Sequence, residues 1–573
     1  LEKMPLTPNG KVDRKALPLP EIREEEYEEP EGEMEQAVAS AAGELLGIER
    51  IGSSANLLSL GMSSLLFMKL VLRLNEEKKI RIRTADAMKA PTVREIAALA
   101  ARSMEEEEIR VDYTLREAYP ITENQRGLFV DWEKNPGTTQ YNIPSVFRFG
   151  PETDGERLTA AVKAAIDAHS YLKTTFALSE DDVMQIRRDN EEAVVTHTLL
   201  EAEPSEEELA GRVYPFHLTG GELCRVEVIE SPESVYLFLD IHHTVIDGIS
   251  VSILRNDIER AYRGETLAAE THTAYENALY EKALSGTERY RKAEKFFDAL
   301  LSGAETTRYP VSARVDEGRE KTSYVSYRID NRSIAAFCRK NSITPNAYFC
   351  TSFMYVLSCA AREETVLIAF IDNGRNRAGI MGSVGMFVRT IPMVLGFEGE
   401  NGFAAMAREC QERQSEAVSH SIYPFTQLVS RYGITPEILY AYQGLEGPDR
   451  NGLFAEAQSI PLTLDTAKVP LTLEVVPEED GFRLMVEYDT ALYSRRDMET
   501  LIKMIGLFAE QAAVEPDVRR IALTDEAEQQ ALLKLGTGRQ KPYDPAETFI
   551  DMFLKQAART PERTAVCDGT RSL

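Results

Sequence analysis

The chain has 573 residues, 43% hydrophobic and 28% charged, with a net charge of −28 and a pI near 4.9. At roughly 150 residues per domain, this length predicts three or four folding units. The acidic balance argues against nucleic acid and anionic lipid as partners, and no apolar run of eighteen residues exists to form a spanning helix.

In chain order, Leu1 to Pro20 is the first segment. It carries an Asn9-Gly10 turn signal, alternating charges and a Pro-bounded exit at Pro18 and Pro20, so it reads as the end of a domain. The chain opens at Leu1 without Met and shows no charged segment leading into an apolar stretch, so no signal peptide is expected. Glu21 to Gly32 is acidic and interrupted by Pro30, a linker composition. Met34 to Leu46 has helical periodicity, with Ala and Leu on one face. A loop through Ser53, Ser54 and Asn56 leads into Leu57-Leu58-Ser59-Leu60-Gly61-Met62-Ser63-Ser64-Leu65. An apolar helix over Leu65 to Leu74 follows. Thr92 to Ser103 reads as a last helix with Thr92 as its N-cap. The result is a small all-helical unit of roughly 70 residues, a marginal size for independent folding. Glu105 to Glu108 marks a second linker.

From Tyr119 to Asp525, helical and strand patterns alternate, and two α/β lobes of roughly 200 residues each fit the length. Val235 to His242 reads as a strand, and Ile249 to Tyr262 as the helix after it. Gly536 to Pro545 is a further polar link. Thr548 to Arg559 reads as a helix leading into a strand at Thr564 to Cys567. The six cysteines form no CxxC pair and lie near no histidine at metal-ligand spacing, so no metal site is expected. They read as reduced and mostly buried thiols of a cytosolic protein. Cys350 and Cys359 share the apolar run Ala347 to Ala361, which fits core packing.

Two constellations carry chemistry. In Leu60-Gly61-Met62-Ser63-Ser64-Leu65, a serine on the first helical turn sits beside unsatisfied N–H groups and a positive dipole end, which suits a phosphate ester. An ordinary N-cap serine is the competing reading. In His242-His243-Thr244-Val245-Ile246-Asp247-Gly248-Ile249-Ser250, two of the chain's seven histidines are adjacent at a strand end. From there a histidine can reach a substrate and handle a proton near neutral pH. Asp247 can fix the loop's shape, and Gly248 lets backbone approach a substrate. A satisfied structural turn is the alternative.

The order of motifs resembles a non-ribosomal peptide synthetase read across a module boundary. Asn9-Gly10-Lys11-Val12-Asp13-Arg14 and Leu17-Pro18-Leu19-Pro20 resemble the end of an adenylation domain. Leu60 to Leu65 resembles the LGGxSL motif of a peptidyl carrier protein. Tyr119 to Gly127, His169 to Phe176 and His242 to Ser250 resemble the opening, HPxLRTxF and HHxxxDGxS motifs of a condensation domain. Asn373-Gly374-Arg375, Gly385 to Thr390 and Tyr423-Pro424-Phe425 resemble its later motifs. Thr548 to Leu573 looks like the start of a further adenylation domain. The resemblance divides the chain into an adenylation remnant (1–20), a linker (21–32), a carrier domain (33–104), a linker (105–116), two condensation lobes (117–285 and 286–530), a linker (531–547) and an adenylation start (548–573).

The resemblance implies a four-helix carrier followed by a two-lobed fold like chloramphenicol acetyltransferase, with a tunnel between the lobes. It implies a 4′-phosphopantetheine arm on Ser64, added by a phosphopantetheinyl transferase, although Met62 and Ser63 depart from the usual motif. The arm's aminoacyl or peptidyl thioester would pass to the amine on a downstream carrier, with adjacent adenylation domains as further partners. His243 is the implied catalytic histidine, with His242 beside it and Gly248 as an N–H donor to the oxyanion. Asp247 is a structural residue, implied to pair with the position that is Lys173 here. A lysine there is a point charge and makes a looser pair than an arginine fork. Ser250 is a weaker candidate, and Lys11 should be inert without its nucleotide-binding body. A non-catalytic recruitment domain and an epimerisation domain share the fold and are the rival readings.

Overall fold

The computed structural model describes residues 27–573 apart from 79, 81, 83, 103–108, 110, 180–181, 312–321, 331, 376, 378, 400–401, 436, 444–451, 463–466, 479 and 539–543. The adenylation-like motif at Asn9 to Arg14, with Lys11, and the Leu17 to Pro20 exit lie outside the described residues.

The first part is all helical: Gly32–Leu46, Ser64–Lys78, Thr84–Lys89 and Val93–Arg102. Val38, Leu57, Phe67, Leu70, Leu74 and Ile96 are fully buried in its core. Gly47, left-handed at φ 66°, ends the first helix, as a glycine past a helix end commonly does. Thr92 caps the last helix. Its Oγ1 accepts from the Glu95 N–H at 3.3 Å, and the Glu95 carboxylate returns to the Thr92 N–H at 3.2 Å. The short helix Thr84–Lys89 has too few residues for a periodic signal.

The α/β part has two main sheets. The first runs in the order Gln458–Ile460, Asn142–Phe149, Val235–His242, Cys224–Glu230 and Thr196–Leu199. The second runs Arg389–Gly396, Thr365–Asp372, Ile438–Tyr442, Leu471–Pro477, Gly481–Asp489 and Thr322–Asp330. Strand Val235–His242 is buried along its whole length. Val235, Leu237, Leu239 and Ile241 enter one core, while Tyr236 and Phe238 enter another on the opposite face. A strand covered on both faces reads as a near-continuous apolar run.

The lobes are not two consecutive stretches of chain. Gln458–Ile460 comes from the second half and pairs antiparallel with Val146 to Arg148 of the first. Phe454 precedes it and packs edge-on against Phe147 and Phe149, with centroids 5.1 and 5.4 Å away. Two further links join the halves. Asn124 Nδ2 donates to the Val388 carbonyl at 2.9 Å, and Gln140 Nε2 donates to the Ala467 carbonyl at 3.1 Å.

The described cysteines are free thiols. Cys350 is fully buried, but Cys359 is exposed, contrary to the packing expected of it. Both lie on helix Pro345–Ala361. Nine residues at 3.6 per turn rotate a side chain by two and a half turns, so the two thiols occupy opposite faces.

Residues 524–573 form a separate unit. It holds helices Glu526–Gly536 and Phe549–Arg559, the second capped by Thr548. The strand expected at Thr564 to Cys567 is present only as a single bridge between Cys567 and Ser572.

Buried polar groups clamp the α/β part beside its histidine motif. His169 ends helix Gly155–Ala168. Its Nδ1 lies 2.6 Å from Glu270 Oε1 and its Nε2 2.8 Å from Asp257 Oδ2. Burial opposes the imidazolium, but the two carboxylates outweigh it and raise the His169 pKa to about 9. A folded-state pKa above the ordinary 6.5 stabilises the fold fully below pH 6.5 and ceases to do so as pH rises through 9. The shift is worth on the order of 3 kcal/mol. We predict that melting temperature falls between pH 6.5 and 9 in the parent chain. In His169→Gln it should be lower at pH 6 and flat across that window, as read by thermal melts at fixed ionic strength.

Candidate active site and carrier site

His242 is the last residue of strand Val235–His242, and Asp247 is the N-cap of helix Gly248–Tyr262. The turn between them holds His243. Its backbone N–H donates to the Tyr141 carbonyl at 2.8 Å, which anchors the turn to the neighbouring strand's entry. His243 is partly buried, and its Nδ1 lies 2.9 Å from the Ile246 carbonyl. A carbonyl oxygen can only accept, so Nδ1 carries the hydrogen and Nε2 keeps the lone pair. Burial, then the Lys468 ammonium, push the His243 pKa down to about 4, against the opposing Ile246 carbonyl. The ring is therefore a neutral base near pH 7, with its basic nitrogen unused by the turn.

His242 has the opposite tautomer. Its Nδ1 accepts from the Thr244 N–H at 3.3 Å and lies 2.8 Å from Thr244 Oγ1. The ring is buried, with Phe216 and Tyr141 edge-on at 5.7 and 6.4 Å. Burial, then His243, Arg225 and Lys468, lower its pKa to about 3.

Asp247 does not pair with Lys173. Its Oδ1 accepts from Arg375 Nη2 at 2.9 Å and from the Ser250 N–H at 2.8 Å, while its Oδ2 accepts from the Phe387 N–H at 3.0 Å. Asp247 and Arg375 are both fully buried. Arg375 Nη1 also donates to the Ile380 and Ser383 carbonyls at 2.8 and 2.7 Å, and its guanidinium lies 4.3 Å from the Phe387 ring centroid. Lys173 is committed elsewhere. Its Nζ donates to Asp167 Oδ1 at 2.9 Å and to the carbonyls of Asp189 and Glu191 at 3.2 and 2.9 Å. Arg375 Nη2 also donates to Ser250 Oγ at 2.7 Å, so the fork serves four acceptors from two nitrogens, one more than the three hydrogens of an ammonium can meet.

Two late motifs, through Arg375 and Phe387, therefore converge on one carboxylate. Gly374 makes this possible: its φ is +67°, and a Cβ there would lie 1.7 Å from the Phe387 carbonyl oxygen. Ser250 Oγ lies 2.7 Å from Asp247 Oδ1, and it accepts from the Gly385 N–H at 3.0 Å. It belongs to this knot, while Asp247 is the helix cap. Gly248 opens the helix, where backbone N–H groups lack intrahelical acceptors. It is exposed, with nothing within 4 Å of where a Cβ would stand.

Arg375 and Gln125 were quoted within motifs, but their roles were not readable. Gln125 is buried, and its Nε2 donates to the Thr244 carbonyl at 2.8 Å and to Tyr171 Oη at 2.7 Å. It ties the opening motif to the histidine turn. Lys468 carried no signal at all; it reaches the site because Gln140, next to Tyr141, donates to its carbonyl at 3.3 Å.

In the helical unit, Gly61 (φ +99°) and buried Met62 precede the two serines. Ser63 is the cap: its Oγ accepts from the Leu66 N–H at 3.3 Å, and its carbonyl accepts from the Phe67 N–H at 2.9 Å. Ser64 is the first residue of helix Ser64–Lys78. The surroundings fit an attached phosphate. The capping duty falls on the neighbouring serine, and the space around Gly61 is open, with nothing within 4 Å of its missing Cβ.

Two family models match the chain. The Condensation domain model covers residues 115–533, and the Phosphopantetheine attachment site model covers residues 36–100. The chain belongs to the condensation-domain family of non-ribosomal peptide synthetases and carries a phosphopantetheine attachment domain. Bacitracin synthase 3 of Bacillus licheniformis is 26% identical over 99% of this chain. Surfactin synthase subunit 2 of Bacillus subtilis is likewise 26% identical over 99% of it. The chain spans only 9% and 16% of the lengths of those two relatives. Among solved structures, the first condensation domain of the calcium-dependent antibiotic synthetase matches 71% of this chain and 99% of its own, with TM-score 0.61 and 16% identity. The X-domain bound to OxyB from teicoplanin biosynthesis matches 74% of this chain and 99% of its own, with TM-score 0.63 and 17% identity. These likenesses bear out the two-lobed fold with a carrier domain ahead of it. No helix among the described residues is long and apolar enough to cross a membrane.

Proposed function

We propose that the condensation domain joins a donor acyl group, delivered on Ser64, to the α-amine of an amino acid held by a downstream carrier. The observation that carries this reading is the 2.9 Å contact of His243 Nδ1 with the Ile246 carbonyl, which leaves Nε2 as the basic nitrogen of a turn that ends at exposed Gly248. Once attached, a 4′-phosphopantetheine arm supplies a thiol that holds the donor as an activated thioester. His243 Nε2 orients the acceptor amine and takes the proton it sheds as the new C–N bond forms; the acyl C–S bond breaks and the departing thiolate would take up that proton. The N–H of exposed Gly248, at the start of the helix, donates to the carbonyl oxygen as negative charge builds on it. His242, locked to Thr244, holds the turn in shape. Asp247, with Arg375, fixes the helix that carries Gly248, and Lys173 supports the fold away from this centre.

The partners of this reading are adjacent adenylation domains, a downstream carrier as acceptor and a cytosolic phosphopantetheinyl transferase. A recruitment or epimerisation role on the same fold is the alternative. The intact His243 base favours condensation over recruitment, and the adenylation-like segment after the condensation domain favours it over epimerisation.

Modification by coenzyme A and a broad-specificity phosphopantetheinyl transferase is the first test. Intact mass and peptide mapping should show one arm on the parent chain and on Ser63→Ala, and none on Ser64→Ala. Ser63→Ala should lose about 1 kcal/mol of stability with its cap. An arm on Ser63, or none on a folded parent, would remove the donor site from this reading.

A further inference from the structure

The helical carrier is not detached from the α/β part. The short helix Thr84–Lys89 packs on helix Phe403–Ser419, with Ser415 Oγ 3.9 Å from Met88 Sδ. Beside this contact stands a polar one. Ser342 Oγ accepts from Asn56 Nδ2 at 3.2 Å and lies 3.1 Å from Ser59 Oγ. Ser342 follows helix Arg332–Asn341 and has φ +54°, one of two non-glycine residues described with positive φ. Such a conformation persists only where its surroundings enforce it. Gln411, from helix Phe403–Ser419, enforces it by donating to the Ser342 carbonyl at 3.2 Å and accepting from the Thr344 N–H at 2.7 Å.

On the carrier side the contact falls on the loop that leads to Ser64. Asn56 Oδ1 accepts from the N–H groups of Leu58 and Ser59 at 3.0 and 3.2 Å, so the same side chain shapes that loop and reaches across to Ser342. We infer that Ser342, held in a left-handed turn by Gln411, is the point at which the condensation domain recognises its own carrier, through Asn56 and Ser59, in the donor-delivering position. This inference rests on the condensation reading above. It assigns carrier selection to a small hydrogen-bonded contact flanked by a methionine. Such a contact is strong enough to bias docking and weak enough to release the carrier for other partners.

Ser342→Gly is a clean probe, because glycine favours the left-handed backbone and only the hydroxymethyl group is lost. In single-turnover assays on the full chain, transfer from the loaded carrier should slow on the order of tenfold, the effect of two ordinary hydrogen bonds. Transfer from a soluble cysteamine thioester of the same acyl group should keep the parental rate. Ser342→Asn, which tolerates positive φ and keeps a polar group, should recover most of the loss. Equal slowing of both donors, or of neither, would overturn the inference. Docking is read apart from catalysis in a Ser59→Cys/Ser342→Cys chain with exposed Cys359 and Cys567 changed to serine. Mild oxidation should close an intramolecular disulfide, and its absence would also overturn the inference. A crosslink in a chain that transfers neither donor would instead uphold docking and count against the condensation reading.

Discussion

His243→Ala is expected to slow amide formation by about 10²–10⁴-fold, the usual worth of a positioned general base. The residual rate should still be measurable. A thioester is already activated, and holding two tethered reactants together can supply as much as ~7–11 kcal/mol of the barrier. The pH behaviour separates this base from an ordinary histidine. With its pKa pushed down to about 4 by burial and by the nearby Lys468 ammonium, the ring gains no proton between pH 8 and 5. Imidazole resonances assigned to His243 should therefore show no titration step near 6.5. Any acid loss of rate in that range should follow the acceptor's α-amine, whose ordinary pKa is roughly 7.7–8.0. A normal His243 titration at 6.5, or a His243→Ala rate within twofold of the parent, would contradict the assignment. His242→Ala gives a different signature, since its Nδ1 is bound inside the turn. It should cost stability as well as rate.

How much of this was legible follows from the range of each interaction. The histidine turn was legible because its contacts are local. His242 bonds Thr244, His243 bonds Ile246 and Asp247 bonds Ser250, all within three residues. The strand before it was legible because complete burial imposes an apolar run on Val235–His242. The partner of Asp247 was not. Arg375 lies 128 residues away in sequence, and nothing in a local pattern distinguishes it from Lys173 as the matching cation. The crossing strand Gln458–Ile460 has three residues and is largely exposed, so it bears no alternation to read. The doubled serine kept its ambiguity for a related reason. Both residues suit a helix start, and only the bond from Leu66 to Ser63 separates the cap from its neighbour. Ser342 was silent altogether, because its role depends on the packing of two separate domains.

Arg375→Met is expected to destabilise the condensation domain by about 3–5 kcal/mol, the cost of removing one partner from a buried ion pair. Asp247→Ala should cost a similar amount and also deprive helix Gly248–Tyr262 of its cap. The reason is geometric. The Asp247 carboxylate serves Arg375, Ser250 and Phe387 together, and Arg375 spans four acceptors in return: Asp247, the Ser250 hydroxyl and the Ile380 and Ser383 carbonyls. Arg375→Lys should fall between Met and the parent, because an ammonium keeps the charge but has three hydrogens for the four acceptors. Pairing Arg375→Met with Asp247→Asn should recover part of the loss, since neither residue then leaves an unmatched charge in the interior. In each variant, loss of turnover should track loss of folded protein, as read by thermal melts and near-UV circular dichroism of the same samples. A folded Arg375→Met chain without turnover would instead assign the arginine to the chemistry. An unchanged melting temperature would show that the knot does not hold the helix. Either result would detach Asp247 from the positioning of Gly248, the backbone donor proposed for the developing oxyanion.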